Sequence, residues 1–390
     1  MNQLTSRRIE SLDILKGIVI VFMALDHTRD YFHIDSFLFD PGNPEKSNLI
    51  LFFTRWITHY CAPAFSFLAG ISAFLVGRKK SKPELTSFLL KRGIWLIFLE
   101  LTIINIGWSF NIHFSAIGLL VLWSLGISMI FLAAFIHLSM KNILALSIVI
   151  IFGHNLLDYI PHDQSIIWSI MHERGFFTIF DNTRFRVIYP IIPWIGVMSL
   201  GYYFGKFYDR EVSPEYRQKL FTKIGLFCIA GFFVIRGINM YGNSDPWIAY
   251  DTFSQTLISF MDPSKYPPSL TYLLMTLGPS LLFLGNSEHL KGRIVGFFTS
   301  FGKVPFFFYI LHIYAIHLFA TILADLTGFG FEAMVLTGFV SLNKQLIGYG
   351  VSLGWVYLVW MAILLMLYPM CIKFSIYKLN HKDQQWLSYF

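Results

Sequence analysis

The sequence predicts an all-α protein, a polytopic transmembrane helix bundle of about ten spans with both the N- and C-termini in the cytoplasm. Composition is the first observation, because 55% of the 390 residues are hydrophobic and only 14% are charged, against about 25% charged in soluble domains. The second is that apolar runs of about 20 residues, long enough to cross a bilayer, recur along the chain. The third is that basic residues concentrate in alternate loops, as membrane topology requires.

Ten apolar runs are predicted to cross the bilayer, with boundaries accurate to within several residues. They lie near 13–33, 50–77, 88–111, 114–138, 142–160, 187–206, 220–240, 269–286, 304–325 and 351–372. The connections 164–186 and 329–349 are partly apolar, and either is long enough for a re-entrant or interfacial helix. A total of roughly nine to eleven spans therefore fits the pattern.

The distribution of Lys and Arg predicts the orientation. With the N-terminus inside, 20 of the 30 basic residues fall in inner segments, Arg7 and Arg8 first among them. Six fall in outer loops, Lys265 among them, and four lie within or at the ends of spans. Because the net charge of +7 is dispersed in this way, it does not indicate nucleic-acid binding. The first run lacks a small-residue cleavage site, so we expect it to remain as a helix.

Residues 1–390 are interpreted as one integral membrane domain without a separate soluble domain. The three cysteines have no metal-ligand spacing, and no metal is predicted. Walker, dinucleotide-binding, metalloprotease and nucleophile-elbow motifs are absent from the sequence. Gly201 and Gly205 form one small-residue pattern, which indicates close helix packing more than a dimer face, and an oligomer stays open.

The end of the first span carries a cluster of ionisable side chains. Asp26, Arg29, Asp30 and His33 follow i, i+3, i+4, i+7 spacing and share one helical face. His27 lies within i+3 reach of Asp30, and a neighbouring carboxylate can fix the tautomer of a histidine and raise its basicity, which suits a general base or nucleophile. The alternative is a neutralising ion-pair cap at the outer membrane boundary. Ionisable groups inside membranes are costly, so the density of this cluster favours function.

Other spans contain further ionisable side chains. Arg55 and His59 form an i, i+4 pair in the second span. Glu100 lies deep in the third span and is expected to have a cationic partner, either Arg29 or Arg55. His312 lies in the ninth span, where simple packing is the alternative to catalysis. We expect the cavity-lining or alternative catalytic residues to be His33, Arg55, His59, Glu100 and His312.

The first span also carries a cation near its inner end. Lys16 precedes His27 by eleven residues, close to three helical turns, so the two share a stripe and lie about 16 Å apart along the axis. Snorkelling to the inner headgroups is the alternative role for Lys16. The basic loop 78–92 contains Lys91 and Arg92 and lies on the same predicted side of the membrane as Lys16. Its cations suit the binding of phosphate groups. The positive-inside bias explains that loop equally well.

Short motifs that resemble those of known membrane proteins are distributed along nearly the whole chain. They lie at 8–17, 26–32, 53–59, 62–63, 67–70, 91–93 with Glu100, 192–198, 266–270 and 302–312. In these motifs the chain resembles bacterial membrane proteins grouped with heparan-α-glucosaminide N-acetyltransferase, within a wider transmembrane acyltransferase superfamily that includes the acyltransferase-3 group. The resemblance implies a bundle of the ten-helix type. It also implies transfer of an acyl group, usually acetyl from cytosolic acetyl-CoA, to a sugar hydroxyl or amine at the far side of the membrane.

The resemblance also implies roles for residues. The acyltransferase-3 pattern has an arginine and, eleven residues later, a functional histidine in the first helix, and these positions match Lys16 and His27. Lysine at the first position keeps the charge but loses bidentate phosphate binding. In the lysosomal enzyme the histidine follows the first helix, a place that His33 or His59 can hold.

The function implied by the resemblance is that of an acetyl-CoA-dependent membrane acyltransferase. His27 would act as the base or transient acyl carrier, with Asp26, Asp30 and Arg29 beside it. Acetyl-CoA would contact Lys16, Lys91 and Arg92. The expected partners are the lipid bilayer, acyl-CoA and a sugar or glycan acceptor, and the expected location is the inner membrane of a bacterium.

Two other classes of function compete with this interpretation. A proton-coupled transporter or exporter also uses intramembrane Asp, Glu, His and Arg, but the sequence shows no inverted pair of broken helices. A structural or signalling membrane protein would leave Glu100 and the first-span cluster unexplained.

Overall fold

The computed structural model describes residues 9–179, 183–384 and 386–387, so Arg7 and Arg8 lie outside the described residues. The described part is mostly helical, as predicted. Its α-helices are α1 Glu10–Phe32, α2 Leu49–Trp56, α3 Cys61–Gly77, α4 Lys82–Leu99, α5 Asn105–Ser109, α6 Val121–Phe135, α7 Met140–Gly153, α8 Ile166–Met171, α9 Ile191–Gly205, α10 Pro214–Ile238, α11 Phe253–Met261, α12 Leu270–Asn286, α13 Arg293–Gly302, α14 Pro305–Leu326 and α15 Leu353–Asn380.

Several helical segments have the length and composition of membrane spans. The described residues include five of them: Leu49–Gly77, Met140–Tyr159, Pro214–Ile238, Pro305–Leu326 and Leu353–Asn380. The shorter helices α6 and α12 are also apolar, and α1, α4 and α9 overlap the predicted runs 13–33, 88–111 and 187–206. The predicted all-α polytopic bundle is confirmed, while the number of spans and the sides of the two termini stay predictions.

Helix α1 lies inside the bundle and packs against α3, α12, α13, α14 and α15. Its approach to α13 is backbone to backbone. A Cβ atom on Gly17 would collide with the carbonyl of Phe298, and one on Gly302 would collide with the carbonyl of Asp13. Helix α13 was not predicted, and this part of the chain was expected to be an inner connection, because Lys291 and Arg293 interrupt the apolar pattern there.

Helices α3 and α9 form another close pair, and the small-residue pattern lies at their contact. A Cβ atom on Gly201 would collide with the backbone of Phe67, and one on Gly205 with the side chain of Phe74. The interpretation of Gly201 and Gly205 as residues of close helix packing is confirmed.

The second predicted span is not one regular helix. A 3₁₀ turn, Ile57–Tyr60, separates α2 from α3. Proline lacks a backbone N–H, so Pro63 cannot donate to the carbonyl of His59, four residues earlier. That carbonyl accepts the hydroxyl of Tyr272 instead, at 2.7 Å, which ties α12 to the break.

The third and fourth predicted spans also depart from regular helix. A turn of π-helix, Glu100–Ile104, separates α4 from α5. The fourth run was predicted to be helical from residue 114, but Ala116–Leu119 forms strand β1 and helix α6 begins only at Val121. The prediction of helix for the start of this run was therefore wrong.

A small sheet accounts for part of the uncertain connections. Strand β1 pairs in parallel with β3 Thr183–Val187, which pairs antiparallel with β2 Gly175–Ile179. The sequence of β3 alternates polar and apolar side chains, which is the period-two signal of a strand. Connection 164–186 thus contains the short helix α8 and two strands, whereas 329–349 contains 3₁₀ turns. The described residues of these two connections form no long re-entrant helix.

Candidate active site

Two cavities lie along α1, one near each end. The outer cavity has a volume of about 120 Å³ and is lined by Asp26, His27 and Asp30 of α1 together with Trp108 and Lys265. The inner cavity has a volume of about 340 Å³ and lies nearer the start of α1. Its charged lining residues are Asp13, Lys16, Arg92, Lys303 and Lys378.

His27 forms a hydrogen-bonded pair with His312 of α14. Nδ1 of His27 lies 2.8 Å from Nε2 of His312, and Nδ1 of His312 lies 2.9 Å from the carbonyl oxygen of Phe308. A carbonyl only accepts, so Nδ1 of His312 must donate to it, and Nε2 of neutral His312 must accept from Nδ1–H of His27. Nε2 of neutral His27 is then unprotonated, with its lone pair available in the outer cavity. This tautomer suits a general base or a nucleophile.

Trp108 and His312 fix the position of the His27 ring. The indole of Trp108 packs edge-on against His27 with ring centroids 4.6 Å apart. The His312 ring lies nearly parallel to that of His27, with 13° between the ring planes and centroids 5.0 Å apart, and His312 is itself fully buried. An imidazole held by ring contacts and one hydrogen bond keeps its orientation, as a catalytic group must.

The carboxylates beside His27 form an ion-pair network with Arg29. The Arg29 guanidinium lies 2.9 Å from Asp26 and also contacts Asp30. The predicted helical face is therefore real for Asp26, Arg29 and Asp30. Asp26 has two more distant cations, with Arg55 at 4.0 Å and Lys265 at 3.9 Å. Of these three basic residues only Lys265 lines the outer cavity.

Arg55 faces the outer loops as well as Asp26. Burial alone would raise the pKa of Asp40. The charge of Arg55 and a 2.8 Å hydrogen bond from the backbone N–H of Gly42 to the Asp40 carboxylate outweigh burial, so the pKa of Asp40 lies below its usual value. Burial raises the pKa of nearby Asp262 to about 6, against the opposing effect of Arg55. Arg55 thus joins the loops to the site from behind Asp26 and does not line the cavity.

The inner cavity brings together cations from distant parts of the chain. Lys16 of α1, Arg92 of α4, Lys303 and Lys378 of α15 contribute to its wall, and Asp13 is the one lining carboxylate of the described residues. Lys16 also lies 3.4 Å from the hydroxyl of Ser72. Lys91, by contrast, is exposed and outside this lining, because the helix turns its side chain about 100° away from that of Arg92.

The same four side chains line both cavities. Met23, Phe65, Val121 and Tyr309 belong to the inner and the outer wall alike. These apolar and aromatic groups therefore form a constriction between the cationic cavity and the His27 cavity. An elongated molecule bound in the inner cavity would reach His27 only through this constriction.

Glu100 is placed differently from the sequence-based expectation. It is fully buried, but its carboxylate accepts from the backbone N–H groups of Leu122 and Trp123 at 2.7 and 3.2 Å. These groups lie in the first turn of α6, where N–H donors lack helical partners and the helix dipole favours a negative charge. The expected pairing of Glu100 with Arg29 or Arg55 was wrong, and Glu100 does not line either cavity.

The other two alternative histidines also lie away from the lining. His33 follows α1, where its neighbour Ile34 donates a backbone hydrogen bond to Val351. His59 is buried in the 3₁₀ turn with its ring against Tyr272. Among the described residues, the predicted histidines that meet at the outer cavity are His27, which lines it, and His312, which supports His27 from behind.

Several site residues were not identified from the sequence. They are Trp108, Lys265, Tyr309, Lys303 and Lys378. Lys265 immediately precedes a Tyr-Pro-Pro turn, and an outer-loop cation is uncommon under the positive-inside rule, so its position carried a signal. The described residues also contain no group of three or more His, Cys, Asp or Glu side chains that could hold a metal ion.

A family model described as heparan-alpha-glucosaminide N-acetyltransferase, catalytic, matches residues 8–241. The chain belongs to this family. It is therefore an integral membrane protein with a transferase function of the acetyltransferase type. No curated protein matches the chain in sequence.

The matched part of the acetyltransferase family model includes His27 and its neighbouring carboxylates. It ends before Lys265 and His312, both of which the fold brings to the site. A loop residue and a helix residue that follow the matched part thus complete a candidate site whose first components lie on α1.

Proposed function

We propose that the protein transfers an acetyl group from acetyl-CoA, bound in the inner cavity, to a sugar hydroxyl or amine in the outer cavity. Four basic side chains line the inner cavity, and they suit the phosphate groups of CoA because ammonium and guanidinium groups donate charge-assisted hydrogen bonds to phosphate oxygens. The thioester end would pass the constriction at Met23 and Tyr309 and reach His27. The charge distribution supports an orientation in which the inner cavity faces the cytoplasm, and the resemblance to bacterial membrane proteins favours a bacterial inner membrane as the setting.

The observation that carries this proposal is the His27–His312 pair. It leaves Nε2 of His27 with a free lone pair beside the one constriction that the two described cavities share. A histidine in this tautomer can take the proton from an acceptor hydroxyl or amine while that group attacks the thioester carbonyl. Alternatively, the same nitrogen attacks the carbonyl, forms an acyl-imidazole and releases CoA, and the acceptor then displaces the imidazole.

Both routes balance in the same way. The acceptor loses one proton and gains the acetyl group, and the carbon–sulfur bond breaks. The CoA thiolate takes up a proton and leaves as the thiol. Asp26 and Asp30, held by Arg29, offset the positive charge that His27 acquires when it is protonated or acylated.

Radiolabelled acetyl-CoA tests this function. The protein in liposomes would be given acetyl-CoA with glucosamine or N-acetylglucosamine, and free CoA and label on the sugar or on the protein would be measured. The unaltered protein is expected to release CoA, and His27→Ala to lower the rate by about 10³-fold. His113→Ala is the matched control, because His113 is an exposed histidine outside both cavities.

Two results would count against this proposal. Absence of CoA release and of label from the unaltered protein contradicts acetyl transfer. Equal activity of His27→Ala and the unaltered protein removes the chemistry from His27. Substrate movement across the membrane that needs a proton gradient but no CoA would instead support the transporter hypothesis.

A further inference from the structure

The charged groups that line the outer cavity are two carboxylates and one cation. Asp26 and Asp30 supply the negative charges, and Lys265 supplies the positive one. Arg29 is buried behind the carboxylates, and Arg55 is not part of the lining. Lys265 is thus the cation of the described residues that a molecule in this cavity would meet.

The loop that carries Lys265 is held in place on both sides. The backbone N–H of Ser264 donates to the side-chain oxygen of Asn243 at 2.7 Å, and the hydroxyl of Tyr266 donates to that of Tyr189 at 3.4 Å. The Lys265 ammonium lies 5.3 Å from the centroid of the Tyr266 ring, and the side chain is only 10% exposed. The position of this charge is therefore set by the fold before any substrate binds.

Lys265 is only loosely engaged by Asp26. Its Nζ atom lies 3.9 Å from the carboxylate, which is beyond hydrogen-bond distance, whereas Arg29 lies at 2.9 Å from the same side chain. The carboxylate is already paired without Lys265. The ammonium therefore retains donors for a further partner in the cavity.

Acetyl transfer creates a negative charge close to His27. When the nucleophile bonds to the thioester carbonyl carbon, the carbonyl π electrons move to oxygen, and the tetrahedral intermediate carries an oxyanion. The oxyanion then re-forms the carbonyl and expels the CoA thiolate. Fixed donors aimed at such an oxygen are among the largest contributions to acyl-transfer catalysis.

We propose that Lys265 is a catalytic residue whose ammonium group donates a hydrogen bond to the acyl carbonyl oxygen and stabilises the oxyanion. This role rests on the proposed acetyl transfer. It assigns His27 and Lys265 to opposite halves of the reaction, because His27 acts on the nucleophile and Lys265 on the carbonyl oxygen.

Lys265→Met tests this role by removing the charge from a side chain of similar length. Its maximal rate of CoA release from acetyl-CoA with glucosamine is expected to fall about 10²-fold, with the affinity for acetyl-CoA unchanged. Lys344→Met is the control, since Lys344 is an exposed lysine of another predicted outer loop. Lys265→Arg keeps a cation and is expected to remain within about tenfold of the unaltered rate. Added ethylammonium is expected to restore part of the rate of Lys265→Ala, which a purely structural role would not allow.

The outcomes separate this role from the proposed function. If the unaltered protein turns over and Lys265→Met has the same maximal rate, the role of Lys265 is overturned and acetyl transfer stays intact. A raised KM for glucosamine with an unchanged maximal rate also overturns it, because Lys265 would then bind the acceptor. Lys265→Met could fail to bind acetyl-CoA, and the comparison would then use Lys265→Arg and Lys265→Ala. If a folded Lys265→Arg loses as much maximal rate as Lys265→Ala does, the role of Lys265 is overturned. No turnover by the unaltered protein contradicts acetyl transfer itself.

Discussion

The two cavities differ in the origin of their charged side chains. The inner cavity takes its cations from α1, α4, α15 and Lys303 between α13 and α14, all near predicted inner ends of spans. The outer cavity takes most of its charge from one short stretch of α1, with a single cation from a later loop. The inner wall is therefore suited to binding an anion, and the outer wall, with a histidine among compensated charges, is suited to chemistry.

Under the proposed function, this difference separates binding from reaction. Cations near the inner membrane surface cost little, because they also satisfy the positive-inside preference. Ionisable groups within a span are costly unless they are paired, and Arg29 supplies that pairing for Asp26 and Asp30. Changes in the outer cavity should consequently affect the rate, whereas changes in the inner cavity should affect affinity.

After His27→Ala itself, the largest effect is expected from removing the partner of His27. His312→Ala leaves Nδ1–H of His27 without its acceptor, so the ring can adopt the wrong tautomer, and we expect the rate to fall by roughly 10²- to 10³-fold. His312→Gln offers an amide oxygen to the same N–H and is expected to recover part of the rate. Initial rates of CoA release across a range of pH check this. An unchanged rate and pH profile in His312→Ala would show that the pair has no role in transfer.

The next largest effect is expected at the constriction between the cavities, where a substitution can separate binding in the inner cavity from transfer in the outer cavity. Met23→Trp would narrow the shared wall, and we expect transfer to fall about 10²-fold because the thioester is misplaced relative to His27. Binding of acetyl-CoA in the inner cavity should persist, as measured by calorimetry. Met23→Leu conserves volume and is the control. Full activity in a folded Met23→Trp protein would mean that the acyl group does not pass this point.

The inner cavity offers a matched pair of neighbouring cations. Arg92 lines the cavity and Lys91 is exposed beside it, although both were expected to bind acetyl-CoA. Arg92→Met is expected to weaken acetyl-CoA binding about tenfold, equivalent to roughly 1.4 kcal/mol, with little effect on the maximal rate. Lys91→Met should leave the affinity unchanged. Equal losses in both variants would point to general surface charge as the source of binding.

The smallest effect on activity is expected at Glu100. Glu100→Ala leaves the N–H groups of Leu122 and Trp123 buried without their acceptor, which should lower the free energy of unfolding by about 1–3 kcal/mol. Glu100→Gln retains an acceptor oxygen and should lose less. Thermal unfolding in detergent measures the change, and CoA release below the unfolding temperature should stay close to the unaltered rate. A large loss of rate in a stable Glu100 variant would return this residue to the active site.

Glu100 and His27 also show what the sequence could predict. Both are ionisable residues in apolar runs, and sequence position alone could not tell a helix-capping carboxylate from a cavity-lining base. The i, i+3, i+4 spacing predicted the shared face of Asp26, Arg29 and Asp30, because helix geometry fixes that relation locally.

Contacts that form only through tertiary packing could not be predicted from the sequence pattern. Lys265 and His312 reach the site from segments more than 200 residues after α1, and helical spacing says nothing about contacts across that distance. The small sheet was missed for a related reason, since β1 pairs with a strand more than 60 residues later in the chain.

Transfer between the two sides of a sealed liposome tests the central claim most directly. Labelled acetyl-CoA would be supplied only on the side of the inner cavity, and glucosamine only on the opposite side. If one acyl path joins the two cavities, label should accumulate on glucosamine across the membrane at a rate that falls about 10³-fold in His27→Ala. Label on glucosamine only when both compounds are on the same side, or equal rates in the two proteins, would contradict the account.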